Sequence, residues 1–195
     1  MKVIIIGGGW AGCAAALSAR QQGADVVLLE RMDMLLGTGL VGGIMRNNGR
    51  FTATEELIAM GGGDIFKAID NNYLHKNIEF PGHAHASLYN VSTMEPIIRR
   101  LLIEKGIKIH FETRISKVEK TVDSIIAVTA KNGTKTARFE GDVFIETTGT
   151  AGPFANCRKH GNGCAMCILR CHSFGGRISV AEKAGIQELN GKKKD

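Results

Sequence analysis

The chain has 195 residues, which is enough for one sizeable core or for one domain with an appendage, and too few for two full domains. Its 44% hydrophobic and 23% charged residues are typical of a globular protein, and no apolar run approaches the roughly 20 residues that a membrane-spanning helix needs. The formal net charge of +6 is dispersed and lacks the interleaved aromatic residues that bind single strands, so it disfavours a nucleic-acid partner without excluding one.

The start of the chain lacks the pattern of an export signal. The short apolar run in MKVIII is followed at once by glycines, where a signal peptide would continue with apolar residues and a small-residue cleavage site. We therefore expect a cytoplasmic protein. In that reducing compartment free thiols are favoured over structural disulfides.

The first thirty residues predict a βαβ unit. Residues 2–6 are largely β-branched and end at glycine, and residues 11–22 form an alanine-rich helix that closes at Gly23. Residues 25–30 have the continuous apolar character of a strand in a parallel sheet that is covered on both faces.

The next part of the chain predicts loops and helices. Residues 31–51 are rich in glycine and have no periodicity, which is typical of a long functional loop. A capping-box spacing at 52–55 predicts a helix start, the glycines at 61–63 interrupt that helix, and a second helical stretch runs from 64 to about 75. Residues 77–91 are predicted to be a loop.

A second capping box at 92–95, with Pro96 in the first turn, predicts the start of a one-faced amphipathic helix that ends at Gly106. Strands are then predicted at 107–111, 115–119, 124–129 and 135–139, and Asn132-Gly133 is a strong hairpin signal between the last two. We expect an antiparallel meander at about 114–140, then a buried strand at 142–146 and a short helix from 178 to about 184.

The turn after the first strand carries a dinucleotide-binding pattern. Gly7, Gly9 and Gly12 fit G-x-G-x-x-G between a strand and a helix, and Glu30 closes the next strand. Gly7 would make the tight turn, Gly9 would let the backbone approach a pyrophosphate, and Gly12 would let helix and strand pack closely. Glu30 would accept hydrogen bonds from ribose hydroxyls, which favours FAD or NAD over NADP.

These motifs resemble those of the FAD-dependent oxidoreductases of the glutathione-reductase-like superfamily, most closely the branch that includes the GidA-like flavoproteins, which modify tRNA uridines. The stretch IIIGGGWAGCAAALSARQQGADVVLLER is similar to the N-terminal fingerprint of that family, and LLGTGLVGGIMRN to its loop that passes the flavin. EPIIRRLLIEKGIKIHFETRISKVEK is similar to its helix, strand and meander entry, and VFIETTGTAG to its second FAD signature. The resemblance covers residues 1 to about 152 and implies FAD rather than NAD.

The resemblance also implies a set of cofactor-binding residues, which are Gly7, Gly9 and Gly12 at the phosphates, Glu30 at the ribose, Arg31, Gly42 and Gly43 toward the cofactor, the backbone of Ile115 near the adenine, and Thr148 and Gly149 on the opposite side. Family members are longer and hold the ribityl chain with a C-terminal Gly-Asp segment. We therefore expect a fragment, one subunit of a split enzyme or a degenerate relative, with a second chain as the candidate that completes the FAD site.

Four of the five cysteines lie within fifteen consecutive positions, at Cys157, Cys164, Cys167 and Cys171. Their spacing, C-x6-C-x2-C-x3-C, lets four thiolates converge on one centre, either a [4Fe–4S] cluster or zinc. A cluster beside a flavin could take electrons singly from a two-electron carrier. Thiols that act in redox exchange or are merely buried are the third alternative. Cys13, inside the first helix, is interpreted as a packing residue.

The predicted fold is α/β, a Rossmann-like parallel sheet with helices on both faces, an inserted antiparallel β-meander and a Cys-rich C-terminal segment. Residues 1–152 would form the FAD-binding domain, and residues 153–195 the metal or iron–sulfur segment with a polar tail. The predicted function is that of an FAD-dependent oxidoreductase or its FAD-binding subunit, acting on a small-molecule substrate or with an electron-transfer partner. A non-catalytic FAD-binding module of a split assembly and a tRNA-modifying flavoprotein are the alternatives.

Overall fold

The computed structural model describes residues 1–45, 53–80, 83–149 and 179–186. The strands in chain order are β1 (Lys2–Ile6), β2 (Asp25–Leu29), β3 (Ile44–Met45), β4 (Tyr73–Phe80), β5 (His83–Tyr89), β6 (Lys108–His110), β7 (Arg114–Lys120), β8 (Ile125–Asn132), β9 (Lys135–Glu140) and β10 (Val143–Glu146). The helices are α1 (Trp10–Gln21), α2 (Ala53–Leu57), α3 (Gly63–Asp70), α4 (Val91–Glu104) and α5 (Val180–Lys183), with a 3₁₀ turn at Gly37–Leu40 and a π-helical turn at Ile58–Gly62.

A four-stranded parallel sheet forms the centre of the fold, in the order β10-β1-β2-β6. Val3 lies opposite Val26 on one side and Val143 on the other, so β1 is an inner strand. Since β1 and β2 are parallel, the chain must cross over between them, and α1 makes that crossover. The predicted βαβ unit and the Rossmann-like parallel sheet are confirmed. None of the helices in the described ranges is long and apolar enough to cross a bilayer.

The two faces of this sheet are covered differently. Val3, Ile5, Val26 and Leu28 share one core with residues of α1, α3 and α4. The alternate residues of β1 and β2 share a second core with residues of β7, β8 and α5, namely Ile4, Ile6, Val27, Leu29, Ile115, Val128, Ala130 and Val180. The sequence predicted helices on both faces. In the described part of the chain the long helices cover one face, and the antiparallel meander with the four-residue α5 covers the other.

The meander agrees with its prediction. Strands β7, β8 and β9 form a three-stranded antiparallel sheet, and Asn132 pairs with Lys135 across the predicted turn. Gly133 has φ +55°, a left-handed conformation that glycine adopts without a steric penalty, and this explains why the turn lies there.

Residues 71–91 differ from their prediction. Helix α3 ends at Asp70 instead of about residue 75, and β4 and β5 form a hairpin where a loop was predicted, with β3 added at the edge. The β4–β5 pairing has three register shifts. These irregularities break the strict alternation by which an amphipathic strand is recognised in sequence, so the strands were missed.

The start of α4 also differs from its prediction. The helix begins two residues after the end of β5, and the side chain of Asn90 caps it by accepting a hydrogen bond from the backbone N–H of Ser92 at 2.9 Å. Pro96 therefore lies inside the helix and not in its first turn. Glu95 is buried and makes its contacts outside the helix start, so the predicted capping box at 92–95 is wrong.

Candidate cofactor-binding site

The glycine turn brings β1, α1 and β10 close together. Gly7 has φ +104°, and a Cβ atom added there would lie under 3.0 Å from the carbonyl oxygen of Thr147. A Cβ atom on Gly12 would lie under 3.0 Å from the carbonyl oxygen of Gly7 and 2.8 Å from Oγ1 of Thr147. Because backbone atoms cannot move away as a flexible side chain can, both positions require glycine for close packing.

Gly9 differs from the other two glycines. It is the N-cap of α1 with φ −65°, and nothing lies within 4 Å of an added Cβ atom. The first N–H groups of a helix have no acceptor within the helix, and its N-terminus carries a partial positive charge. The open space at Gly9 is therefore suited to an anion such as a pyrophosphate.

Glu30 lies where β2 meets the glycine turn and is 7% exposed. Its Oε2 accepts a hydrogen bond from the backbone N–H of Gly8 at 2.6 Å, and its Oε1 accepts one from Met32 at 2.8 Å. The carboxylate is thus held in place beside the turn by two backbone donors. Each carboxylate oxygen has a second lone pair, so Glu30 can still accept hydrogen bonds from ribose hydroxyls. The predicted neighbour Arg31 follows it and is half-buried.

Residues 32–43 run alongside the glycine turn. Leu36 donates its backbone N–H to the carbonyl oxygen of Gly8 at 2.7 Å and forms a parallel bridge with Gly9. Leu36 has φ +73°, which is uncommon for a residue with a branched side chain, and it is fully buried. An added Cβ atom on Gly37 would lie 3.6 Å from the Cα of Gly9. This segment therefore forms one wall of the site.

Tyr89, at the end of β5, contacts residues 32–43 on the side opposite the glycine turn. Its hydroxyl donates to the carbonyl oxygen of Gly39 at 2.7 Å and accepts from Nε1 of Trp10 at 3.1 Å. Burial raises the pKa of Tyr89 above its usual value, so the hydroxyl stays protonated as the donor. Its backbone N–H bonds the carbonyl oxygen of Gly43, and a Cβ atom on Gly43 would clash with the Tyr89 carbonyl. Sequence reasoning missed this contact between Tyr89 and Trp10.

Replacing Tyr89 with phenylalanine is expected to lower the free energy of unfolding by about 1–3 kcal/mol, because the Gly39 carbonyl and the Trp10 N–H each lose their partner. Urea unfolding followed by circular dichroism measures this. Tyr73, the other tyrosine of the chain, bonds the Asp70 carboxylate with its hydroxyl and supplies the matched control, Tyr73→Phe. A loss in Tyr89→Phe no larger than in Tyr73→Phe would contradict the role given to the Tyr89 hydroxyl.

The end of β10 forms the third side of the site. Oγ1 of Thr147 donates to the carbonyl oxygen of Gly7 at 2.7 Å, and Gly149 has φ +87°. Oγ1 of Thr148 donates to Oε1 of Glu146 at 2.8 Å. The predicted residues Thr148 and Gly149 therefore follow directly on the contact between β10 and the glycine turn.

Glu146 also fixes the start of α5. Its Oε1 accepts from the backbone N–H of Val180 at 3.0 Å, and its Oε2 accepts from Ala181 at 2.8 Å. Val180 is buried in the same core as Ile115, the residue predicted to present its backbone to the adenine. The chain thus leaves the sheet after Glu146 and is again beside that residue at Val180.

The predicted metal ligands Cys157, Cys164, Cys167 and Cys171 lie outside the described residues. Within the described ranges, no group of three or more His, Cys, Asp or Glu side chains could hold a metal ion. Cys13 is fully buried, and its thiol lies 3.4 Å from the carbonyl oxygen of Gly8. Burial raises the pKa of the Cys13 thiol to about 12, which keeps it protonated and agrees with a packing role.

Comparisons with known proteins find relatives by sequence and by fold. A curated relative, the tetracenomycin B2 monooxygenase-dioxygenase of Streptomyces olivaceus, is 24% identical, and the match covers 69% of this chain and 31% of that protein. The solved structure of Thermovibrio ammonificans THI4 superposes with a TM-score of 0.55 at 18% identity, covering 83% of this chain and 63% of that one. CmlS, a flavin-dependent halogenase, superposes with a TM-score of 0.54 at 23% identity, covering 82% of this chain and 31% of that one.

The chain spans about a third of the length of the curated relative, and the structural likeness shows a shared fold. The family model described as FAD dependent oxidoreductase matches residues 2–155, which is most of the chain. The chain therefore belongs to the FAD dependent oxidoreductase family.

Proposed function

We propose that this chain binds FAD at the glycine turn and forms the FAD-binding part of an oxidoreductase. The observation that carries the proposal is the open space at Gly9, at the N-terminus of α1, together with the buried carboxylate of Glu30, which is hydrogen-bonded to the preceding residue, Gly8. The helix N-terminus would bind the pyrophosphate, and Glu30 would bind the ribose. The family match favours FAD over NAD as the dinucleotide.

The other predicted residues have supporting parts in this proposal. Thr148 and Gly149 would approach FAD from the β10 side, Arg31 and the Gly42-Gly43 turn from the side of residues 31–43, and Ile115 would offer its backbone to the adenine. When bound, FAD supplies hydride or electron transfer. The protein residues supply its orientation and the charge around it. The substrate is chosen by a part of the protein other than this turn.

The proposal is tested by titrating the purified chain with FAD, FMN and NAD by calorimetry, and by measuring flavin extracted from the protein as isolated. We expect one FAD per chain and much weaker binding of FMN, which lacks the pyrophosphate and adenosine that the turn and Glu30 would bind. Tighter binding of NAD than of FAD, or no binding of either dinucleotide, would contradict the proposal.

We also propose that Cys157, Cys164, Cys167 and Cys171 bind one [4Fe–4S] cluster, with zinc as the alternative. Their spacing supports this, since four thiolates from a short stretch suffice for either centre. The contacts of Glu146 add support, because they tie residue 180 to the strand that ends beside the FAD turn. The two ends of the stretch that carries the cysteines therefore lie close together beside Glu146.

Anaerobic purification with quantification of iron, sulfide and zinc distinguishes the two centres. We expect about four iron atoms per chain and a broad visible absorption that is lost in Cys164→Ser. Cys13→Ala is the matched control, since that buried thiol should leave the metal content unchanged. Equal metal content in Cys164→Ser and the parent protein would contradict the proposed ligand set.

Two further proposals concern partners. A second chain or a further segment would complete the FAD site, since the match covers only part of the curated relative. A role on tRNA, as in the GidA-like branch, rests on the sequence resemblance and the net charge of +6. If it is correct, tRNA should bind at low salt and dissociate steeply as salt rises. An absence of binding at low salt would exclude it.

A further inference from the structure

Helix α4 carries a buried carboxylate, that of Glu95, which is paired with the half-buried Arg99 and which the packing of the helix does not require. Glu95 is 2% exposed, and its Oε1 accepts hydrogen bonds from Arg99 Nε at 2.8 Å and from the backbone N–H of Leu35 at 3.0 Å. Met94, Ile98 and Leu102 already bury α4 against the core. A buried carboxylate is costly unless several donors satisfy it, so an apolar residue would serve the helix better.

Arg99 extends the contact to the loop after β2. Its Nη2 donates to the carbonyl oxygen of Asp33 at 3.0 Å, and its guanidinium lies 4.4 Å from the ring centroid of Phe111. Glu95 and Arg99 together thus bind Asp33 and Leu35 from one helix. The two hydrogen bonds fix both ends of a three-residue stretch of that loop.

The fixed stretch continues directly onto the glycine turn. Leu36 donates its N–H to the Gly8 carbonyl, and the Leu35 side chain packs so tightly that an added Cβ atom on Gly8 would lie 2.7 Å from its Cδ2. Leu36 is held at φ +73°, a conformation that persists only where its surroundings enforce it. The contacts therefore run without a gap from Glu95 through Leu35 and Leu36 to Gly8.

We propose that Glu95 and Arg99 are positioning residues that hold residues 33–36 against the glycine turn and so set its affinity for the dinucleotide. The inference rests on the proposed function, since FAD is the ligand expected at the turn. Glu95 does not touch the cofactor in this proposal. It acts through Leu35. This role explains why a carboxylate is buried on a helix whose apolar residues already pack it against the core.

The test compares Glu95→Gln with Glu104→Gln. Gln at position 95 keeps an oxygen for Leu35 but loses the charge that binds Arg99. Arg100 and Glu104 form an i,i+4 pair of the reverse order on the same helix, with side chains 74% and 66% exposed, so Glu104→Gln removes an exposed paired carboxylate and is the control. We expect FAD to bind about ten-fold more weakly to Glu95→Gln and within about two-fold of the parent in Glu104→Gln, by calorimetry. Arg99→Gln should resemble Glu95→Gln.

Hydrogen exchange of the FAD-free protein keeps this inference separate from the proposed function. In Glu95→Gln we expect faster exchange at the amides of Leu35 and Leu36, with protection in β1 and β2 unchanged. That result would support the positioning role even if FAD failed to bind the parent protein. Failure of the parent protein to bind FAD would count against the proposed function alone. Unchanged exchange at Leu35 and Leu36, or a uniform loss of protection across the sheet, would overturn the inference, as would unchanged FAD affinity in Glu95→Gln.

Discussion

Replacing Gly12 with alanine is expected to lower the free energy of unfolding by about 3 kcal/mol and to abolish FAD binding. The new Cβ atom would meet the Gly7 carbonyl oxygen and Oγ1 of Thr147, which belong to the turn and to the residue after β10. Relief requires α1 to move away from β1, and overpacking of this kind typically costs 1–3 kcal/mol or more. Urea unfolding gives the stability, and calorimetric titration gives the FAD affinity.

Gly9→Ala is the matched comparison, because the same methyl group enters open space there. Gly9 has an ordinary φ of −65°, so alanine fits the backbone, and we expect the free energy of unfolding to change by less than about 1 kcal/mol. FAD affinity should still fall about 100-fold, since the methyl group occupies the space proposed for the pyrophosphate. Unchanged FAD binding in Gly9→Ala would contradict the phosphate site, and equal stability of the two variants would contradict the packing described at Gly12.

Replacing Glu30 with alanine is expected to lower the free energy of unfolding by about 2–4 kcal/mol, because the buried N–H of Gly8 and the partly buried N–H of Met32 both lose their acceptor. FAD affinity should fall about 100-fold with the loss of the ribose contact. The FAD affinity of Glu30→Gln should lie between those of the parent protein and Glu30→Ala, since the amide oxygen can still accept a hydrogen bond. Thermal and urea unfolding measure the first effect, and calorimetry the second.

Asp142→Ala is the control for Glu30→Ala. The Asp142 carboxylate also accepts from a backbone N–H, that of Lys2 at 2.7 Å, but this hydrogen bond is exposed and lies at the opposite end of β1. Water can replace the lost acceptor there, so we expect a stability loss below about 1 kcal/mol and unchanged FAD affinity. A similar loss of FAD affinity in both variants would indicate a general effect of the sheet and not a ribose contact.

The parts of the fold that follow from short-range patterns could be predicted. The βαβ unit and the meander depend on continuous apolar strands, an alanine-rich helix and an Asn-Gly turn, all of which are visible within ten or fifteen residues. The hairpin of β4 and β5 could not be predicted, because its register shifts interrupt the alternation of apolar and polar residues. Pro81-Gly82 between the two strands was the signal that could have found it.

The walls of the site were missed for a different reason. Tyr89 bonds Trp10 across 79 positions of the chain and Glu95 bonds Leu35 across 60, so neither contact leaves a local pattern. At α4 the local pattern was misleading, since the S-x-x-E spacing at 92–95 fits a capping box while the tertiary contact with Leu35 engages the glutamate. The glycines of the turn can be predicted from the local sequence. The side chains that hold the turn in place cannot, because their contacts form only when distant parts of the chain pack together.

Glu146 holds the chain on both sides of residues 150–178. Thr148 before this stretch and Val180 after it bond the same carboxylate, so the two ends of the stretch are held together at one side chain. Loop-closure entropy rises only slowly with length, by about 0.6 kcal/mol for each doubling. We therefore expect the sheet and the glycine turn to tolerate large changes in the length of this stretch, because Glu146 keeps its two ends together.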